Sequence, residues 1–304
     1  MKTNNIKNPS KRIWLKTPKG RKCILGLVFL IPFFAVMIVF AYIPLAQLII
    51  QSFFQYQVTD LPGRFVGLSN YKAVLTSSLL FKYFKNTVVL YIYLLLFSFI
   101  VPIFQAIMLF QLKKTRGFAR YMYIFPTGIT ALAGLSIWKY IWDPESGFAN
   151  FITSKLGLGT YQWLYSESLV KFCLRFPGIL GGGLMVIIYL VTMNNIPKDQ
   201  FEAAKIDGAN DWKVIRYITW PGLKNMVFLQ LLLSLSASLL SFEDVYMMTK
   251  GGPGFSSTTL VLGAYNKAFR ETNFGQAMAM SVIILIFTLI VTSIVNYLKT
   301  RNED

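Results

Sequence analysis

Two groups of residues in this chain have types and spacings suited to chemistry. The first is Glu202-Ala203-Ala204-Lys205-Ile206-Asp207-Gly208-Ala209, with Ile218 and Pro221 downstream, a polar stretch set between long apolar runs. Its chemistry is recognition. Ala203 and Ala204 are small, so a partner surface can approach the backbone closely. Pro197 suits the first turn of a helix, where its missing N–H is not needed. Asp199 then sits near the positive end of the helix dipole, and Glu202 and Lys205 are spaced to pair. Phe201, Ala204 and Gly208 share one face. Gly208 is suited to a positive φ that ends the helix, and Asn210 to capping a second helix whose Val214, Ile215 and Ile218 form an apolar stripe. Pro221 disfavours helix at Trp220 and is expected to close the unit. Two short helices joined at a glycine over 197–221 make a knob facing water. The residues alone leave open an ordinary amphipathic loop lying on a membrane.

The second group is Gln105, Tyr189, Glu243, Asp244 and Tyr246, within or at the ends of apolar runs. Ionisable side chains in such runs are costly and default to functional candidates. Gln105, Tyr189 and Tyr246 can hydrogen-bond or stack against a polar ligand. Exposure to outer water is the alternative for the two acids, and packing for the other three.

The missing chemistry is equally informative. The chain has no His, which removes the usual zinc ligands, imidazole bases and proton relays. Cys23 and Cys173 suggest neither a disulfide framework nor a metal site. No Gly-x-x-x-x-Gly-Lys-Ser/Thr loop occurs, so the chain cannot hydrolyse ATP by that route. No Ser-His, His-Glu-x-x-His or paired intramembrane aspartates point to an intramembrane enzyme. No catalytic residue, metal ligand or bound cofactor is therefore expected.

The elements that must position these residues are apolar. Hydrophobic residues make up 55% and charged residues 14% of 304, against about a quarter charged in soluble domains. Uncharged runs at 23–59, 86–112, 121–138, 176–197, 225–242 and 272–298 each supply the ~20 residues that cross a bilayer. They predict an all-α membrane protein with six transmembrane helices, over about 24–50, 86–112, 121–142, 174–195, 225–247 and 276–298. Two further runs fail as spans: 156–166 is too short, and 251–266 is rich in Gly, Ser and Thr. Residues 1–22 form a basic tail, 23–298 the six-helix membrane domain, and 299–304 a second tail. The first run is too long for a cleaved signal and has no cleavage site at its end.

Basic residues set the orientation. The segments 1–22, 113–120, 198–224 and 299–304 hold nineteen Lys and Arg, against nine in 60–85, 155–171 and 250–270. Positive charge marks the cytoplasmic side, so both termini are expected there. The net charge of +17 is accounted for by topology and by contacts to anionic lipid, with no basic groove for nucleic acid. Asn70 is expected to cap a helix over 71–84 lying along the membrane surface. Trp138, Tyr140 and Trp142 read as an interfacial belt, with sugar stacking as the alternative, and Gly181-Gly182-Gly183 as a close helix contact.

The 197–221 stretch resembles the cytoplasmic motif of membrane subunits of binding-protein-dependent ABC importers, which reads Glu-Ala-Ala, three residues, Gly, then Ile-x-Leu-Pro. Glu202, Ala203, Ala204, Gly208, Ile218 and Pro221 match it, and Asp207 and Ala209 fit the sugar-importer version. Phe65-Val66-Gly67-Leu68-Ser69-Asn70-Tyr71 is similar to that branch's first outer loop. Thr249, Gly251, Gly252 and Pro253, with Ala268-Phe269 and Phe274-Gly275-Gln276-Ala277, fit its later segments. Trp220, Asn225 and Glu243 depart from the pattern, standing where Leu, Pro and Asp are usual. The resemblance covers roughly 24–298.

It implies a type I ABC importer permease fold, with a second permease subunit and two cytoplasmic ATPase subunits that hold ATP and Mg²⁺. An extracellular or periplasmic binding protein would deliver the sugar. It also implies that Glu202, Ala203, Ala204, Asp207, Gly208, Ala209, Ile218 and Pro221 couple to the ATPase, in a bacterial or archaeal plasma membrane. A glycerol-phosphate or polyol substrate fits the same branch. The rival machine is an ion-driven secondary transporter, which the absence of His and the scarcity of buried acids disfavour; a scaffold without transport is a further alternative.

Overall fold

The computed structural model describes residues 29–56, 63–112 and 116–301. The expected basic tail at 1–22, Cys23, Lys113-Lys114-Thr115 and the tip 302–304 lie outside them.

Among the described residues four helices are long and apolar enough to cross a membrane. They are α1 (Phe29–Gln51), α3 (Ser78–Gln111), α10 (Asp211–Leu239) and α13 (Phe274–Arg301). A bent pair, α7 (Val170–Leu180) and α8 (Gly183–Asn194), which meet at 47°, passes the same test of length and apolarity when taken together. At Gly183 an added Cβ would run into the Tyr123 carbonyl, so the bend is a close backbone approach, as the glycine run suggested.

The third apolar run differs from its expectation. It forms α4 (Arg116–Ile124), a 3₁₀ turn at Phe125–Gly128 and α5 (Ala131–Ile141) instead of one continuous helix over 121–142. Pro126 lacks an N–H for an α turn, and Ile129 and Thr130 are extended. An uncharged run fixes hydropathy but not backbone continuity.

Helix α3 starts eight residues before the expected 86, because Lys82 and Lys85 interrupt the uncharged run without ending the helix. It is preceded by α2 (Ser69–Leu75). Asn70 is therefore inside a helix, not capping one over 71–84. It is buried and donates to the Ser52 and Phe54 carbonyls at 2.8 and 2.9 Å, pinning the end of α1. A two-residue antiparallel ribbon, β1 (Phe54–Gln55) with β2 (Arg64–Phe65), lies beside it.

Pro221 also behaves differently from expectation. It does not close the polar unit; α10 runs through it from Asp211 to Leu239. A widened π turn at Ile215–Thr219 lets the Trp220 N–H reach the Ile215 carbonyl, five residues back. That shift places Pro221 where a first-turn proline is tolerated. The chain then breaks at 240–242 before α11 (Glu243–Thr249), so the expected helix over 225–247 is two pieces. A loop at 250–259 leads to α12 (Leu260–Phe269) and α13.

Packing follows three apolar clusters. Leu90, Val170, Cys173 and Val245 join α3, α7 and α11. Ile103, Val186, Tyr189 and Leu223 join α3, α8 and α10. Val74, Tyr83, Leu260 and Met280 join α2, α3, α12 and α13. Helix α1 has no buried residue between 38 and 51 and presents an apolar surface outward. In water such a surface would demand a partner; in lipid it is already solvated.

The 249–259 loop is held by side chains that return to the bundle. Asn86 donates to the Phe255 and Thr258 carbonyls at 2.8 and 3.0 Å, and Thr259 Oγ1 to the Ser241 carbonyl at 2.9 Å. The loop is thereby tied to α3 on one side and to the 240–242 break on the other.

Candidate functional site

A cavity of about 1130 Å³ lies where three elements break. Its walls come from 126–131 between α4 and α5, from Pro177 and Leu180 beside the α7–α8 bend, and from 240–244 between α10 and α11. Gln105 on α3 and Trp138 on α5 complete it. Irregular backbone inside a membrane bundle is tolerated where it lines a cavity, since its free polar groups need partners there.

One polar network dominates the wall. Arg175 Nη1 donates to Asp244 Oδ2 at 2.5 Å, and Nη2 to Ser241 Oγ at 2.8 Å. The Ser241 hydroxyl in turn donates to Asp244 Oδ1 at 2.8 Å. The two ionised side chains are only 11% and 19% exposed, so solvent screens the pair weakly. Glu243 is exposed to the cavity and has no cation within ion-pair distance among the described residues. Gln105 Nε2 donates to the Ile179 carbonyl at 3.2 Å, while its Oε1 is buried without a partner among the described residues. Trp138 stacks on Trp142 with ring centres 5.8 Å apart.

The polar knob is formed as two helices. Helix α9 (Lys198–Ile206) ends at Asp207, and Gly208 takes φ +70°. Ala209 N–H donates to the Ala204 carbonyl at 2.9 Å and Gly208 N–H to Lys205 at 3.1 Å. These are the two bonds of a Schellman cap. Asn210 then caps α10, its side chain accepting from Lys213 N–H at 2.9 Å. Glu202, Ala203, Asp207 and Gly208 are exposed, as is Pro221; Ala204, Ala209 and Ile218 are half-buried. Phe201 packs its ring 5.6 Å from Phe110, anchoring α9 to the end of α3.

Comparison with known proteins decides the family. Residues 177–304 match the model of the binding-protein-dependent transport system inner membrane component. The chain is 30% identical to the multiple sugar-binding transport system permease protein MsmF of Streptococcus mutans, covering 88% of this chain and 92% of that one. It is 31% identical to the arabinooligosaccharides transport system permease protein AraP of Bacillus subtilis, covering 88% and 86%. The chain belongs to this family of ABC transporter permeases. A permease of Thermococcus litoralis, the trehalose/maltose transport system protein MalF, is 29% identical over 92% of this chain and 95% of its own. The fold matches a chain of a bacterial ABC transporter that imports the acidic polysaccharide alginate, with TM-score 0.83, 22% identity, and coverage of 96% and 99%.

In this permease the cavity gathers three of the five pathway residues named from sequence: Gln105, Glu243 and Asp244. The other two sit elsewhere. Tyr189 is buried among α3, α8 and α10, and Tyr246 stacks on Phe242 at 5.2 Å and contacts the Tyr265 ring. Trp138 lines the cavity, Trp142 is buried in the core, and Tyr140 is exposed, so the three side chains face different surroundings.

Arg175 is the residue sequence reasoning missed. It stands immediately before the uncharged run 176–197. A cation followed at once by an unbroken apolar run, with an acid pair at the edge of another such run, is the signal that would have found it.

Proposed function

We propose that this permease is the membrane-spanning subunit of an ATP-driven importer and forms the passage for a sugar or oligosaccharide delivered by an extracellular binding protein. The chain crosses the membrane six times, with α4 and α5 as one broken crossing, and both termini lie in the cytoplasm. The named substrates of its relatives support a saccharide: trehalose and maltose, multiple sugars, and arabinooligosaccharides. A second permease subunit and two cytoplasmic ATPase subunits, which bind ATP and Mg²⁺, complete the machine.

The observation that carries this reading is the continuity of α10. Its 29 residues, ~43 Å at 1.5 Å each, link the exposed knob at one end to the cavity wall at Ala237 near the other. The knob docks in a cleft of the ATPase through Glu202, Ala203, Ala204, Asp207, Gly208 and Ala209, with Ile218 and Pro221 at its exit. ATP biases the passage only through contacts that differ between inward- and outward-facing states. A stiff rod between the contact and the passage lets such a difference reach the substrate.

The test is affinity purification of the tagged permease from its native membrane in mild detergent, with mass spectrometry of the chains that come with it. Recovery of a P-loop ATPase and a second permease is expected. A reproducibly solitary chain, or a homodimer without any ATPase, overturns the reading and favours an ion-driven transporter.

A further inference from the structure

The charge in the cavity wall is unbalanced in a specific way. Three ionised side chains line it: Arg175, Asp244 and Glu243. Arg175 and Asp244 cancel one another at 2.5 Å. Glu243 has no such partner among the described residues, so one uncompensated negative charge faces the space a substrate would occupy. The cation among the cavity's lining residues, Arg175, is already committed. Its two terminal nitrogens donate to Asp244 and Ser241, and its Nε is buried without a partner. A carboxylate ligand is held best by a free, bidentate guanidinium fork, and this fork is not free.

We propose that Glu243 makes the cavity a filter that admits uncharged saccharides and rejects acidic ones. The proposal rests on the importer reading above and names its substrate class. An uncharged sugar presents hydroxyls, which donate well to the Glu243 carboxylate, and an apolar ring face for Trp138. A uronate brings a second carboxylate to within several Å of Glu243 and must also dislodge Asp244 to gain a counter-charge. Repulsion at that range, in a partly dry site, is worth a discrimination on the order of 10- to 100-fold.

The test uses the complete transporter purified without its binding protein, so that the permease's own selectivity is read. Equilibrium binding is measured for radiolabelled uncharged oligosaccharides (maltotriose, arabinotriose) and for trigalacturonate, a uronate of equal length. Wild type is expected to bind one of the uncharged sugars at least tenfold better than trigalacturonate. In Glu243→Gln that ratio is expected to fall about tenfold, and in Glu243→Lys to fall further or invert. Because Glu243 is exposed, neither substitution disturbs the packed core. Trigalacturonate binding as tightly as the uncharged sugars in wild type, or a ratio unmoved by both substitutions, overturns the filter and leaves the importer reading standing. Failure of every saccharide to bind, and to stimulate ATP hydrolysis once the binding protein is restored, overturns both.

Discussion

At Gly208 the backbone takes a conformation that residues with a side chain adopt only under strain. Its φ of +70° is the left-handed region, and an added Cβ there would meet nothing within 4 Å. A substitution is therefore strained without being crowded, at a cost of about 1–2 kcal/mol. Gly208→Val is expected to abolish uptake while the protein still reaches the membrane at its normal level, checked by transport and quantitative blotting together; uptake within twofold of wild type would remove the knob from the coupling path. Arg175 and Asp244 present the opposite case, in which side chains matter more for each other than for the fold. Removing one partner of a buried pair strands the other charge, a loss of about 3 kcal/mol. Asp244→Ala should thus lower the thermal midpoint of the purified complex clearly more than the double variant Arg175→Met, Asp244→Leu, which removes both charges. Equal losses would mean that the two are screened by water instead of bound to each other.

Elements were legible where hydropathy and backbone agree, and illegible where they part. Helix α13 could be read directly, because nothing interrupts its apolar run between 272 and 298. The capped turn at 207–210 could be read too, since Gly and Asn each have one evident use there. The α4–α5 break could not, because Pro126 and Gly128 carry no charge to mark it, nor could the start of α3, which Lys82 and Lys85 disguise. Pro221 was misleading because a π turn upstream absorbs its missing N–H, a tertiary detail without a one-residue signature. Of the site, Gln105, Glu243 and Asp244 were visible as polar groups in apolar surroundings, whereas Arg175 was hidden by lying at a boundary. The loop after α5 carries turn signals at Asp143-Pro144 and Ser146-Gly147, but nothing in the sequence marks the side chain that ties its two halves together. Asn150, buried on α6 (Phe148–Lys155), donates to the Pro144 and Tyr161 carbonyls and accepts from Tyr161 N–H and Trp163 Nε1–H, all within 3.0 Å. Asn150→Ala should destabilise this loop by about 2 kcal/mol and open 143–165 to limited proteolysis, with the membrane helices left intact. The same loop should respond to acid. Asp143 accepts from the Ser146 N–H and hydroxyl and from the Glu145 N–H, which hold its carboxyl below the usual aspartate range. Its folded pKa being the lower one, the turn's stabilisation is present above the ordinary aspartate value and is lost as pH falls through the depressed one. Protection of the 145–147 amides against exchange, relative to the unstructured chain at the same pH, should fall only below about pH 4.

Across the whole molecule, the question is whether the knob and the cavity move as one body. Helix α10 joins them without a break from Asp211 to Leu239, and its two ends differ in how they are held. Near the knob, Phe201 packs on Phe110, so α9 is also attached to α3. Near the cavity, the chain breaks at 240–242, and Thr259 and Arg175 grip Ser241. Under the proposed coupling, a displacement of the knob is delivered along a stiff rod to a break whose neighbours are the cavity walls. The breaks at 125–130 and 181–182 lie across the same space, which leaves the walls three places to bend while their helices stay whole. Stiffness is then the property to test. Two glycines inserted after Lys224 would lengthen the rod by ~3 Å, rotate everything beyond by about 200° and weaken the helix by about 1 kcal/mol per residue. The knob's own sequence and caps are untouched. Such a variant should still carry the ATPase with it through purification, yet lose nearly all uptake and any saccharide-stimulated ATP hydrolysis. Loss of the ATPase from the preparation would show instead that docking depends on how the knob is held. Uptake near the wild-type rate would show that the knob and the passage communicate by another route, such as the Phe201–Phe110 contact and α3.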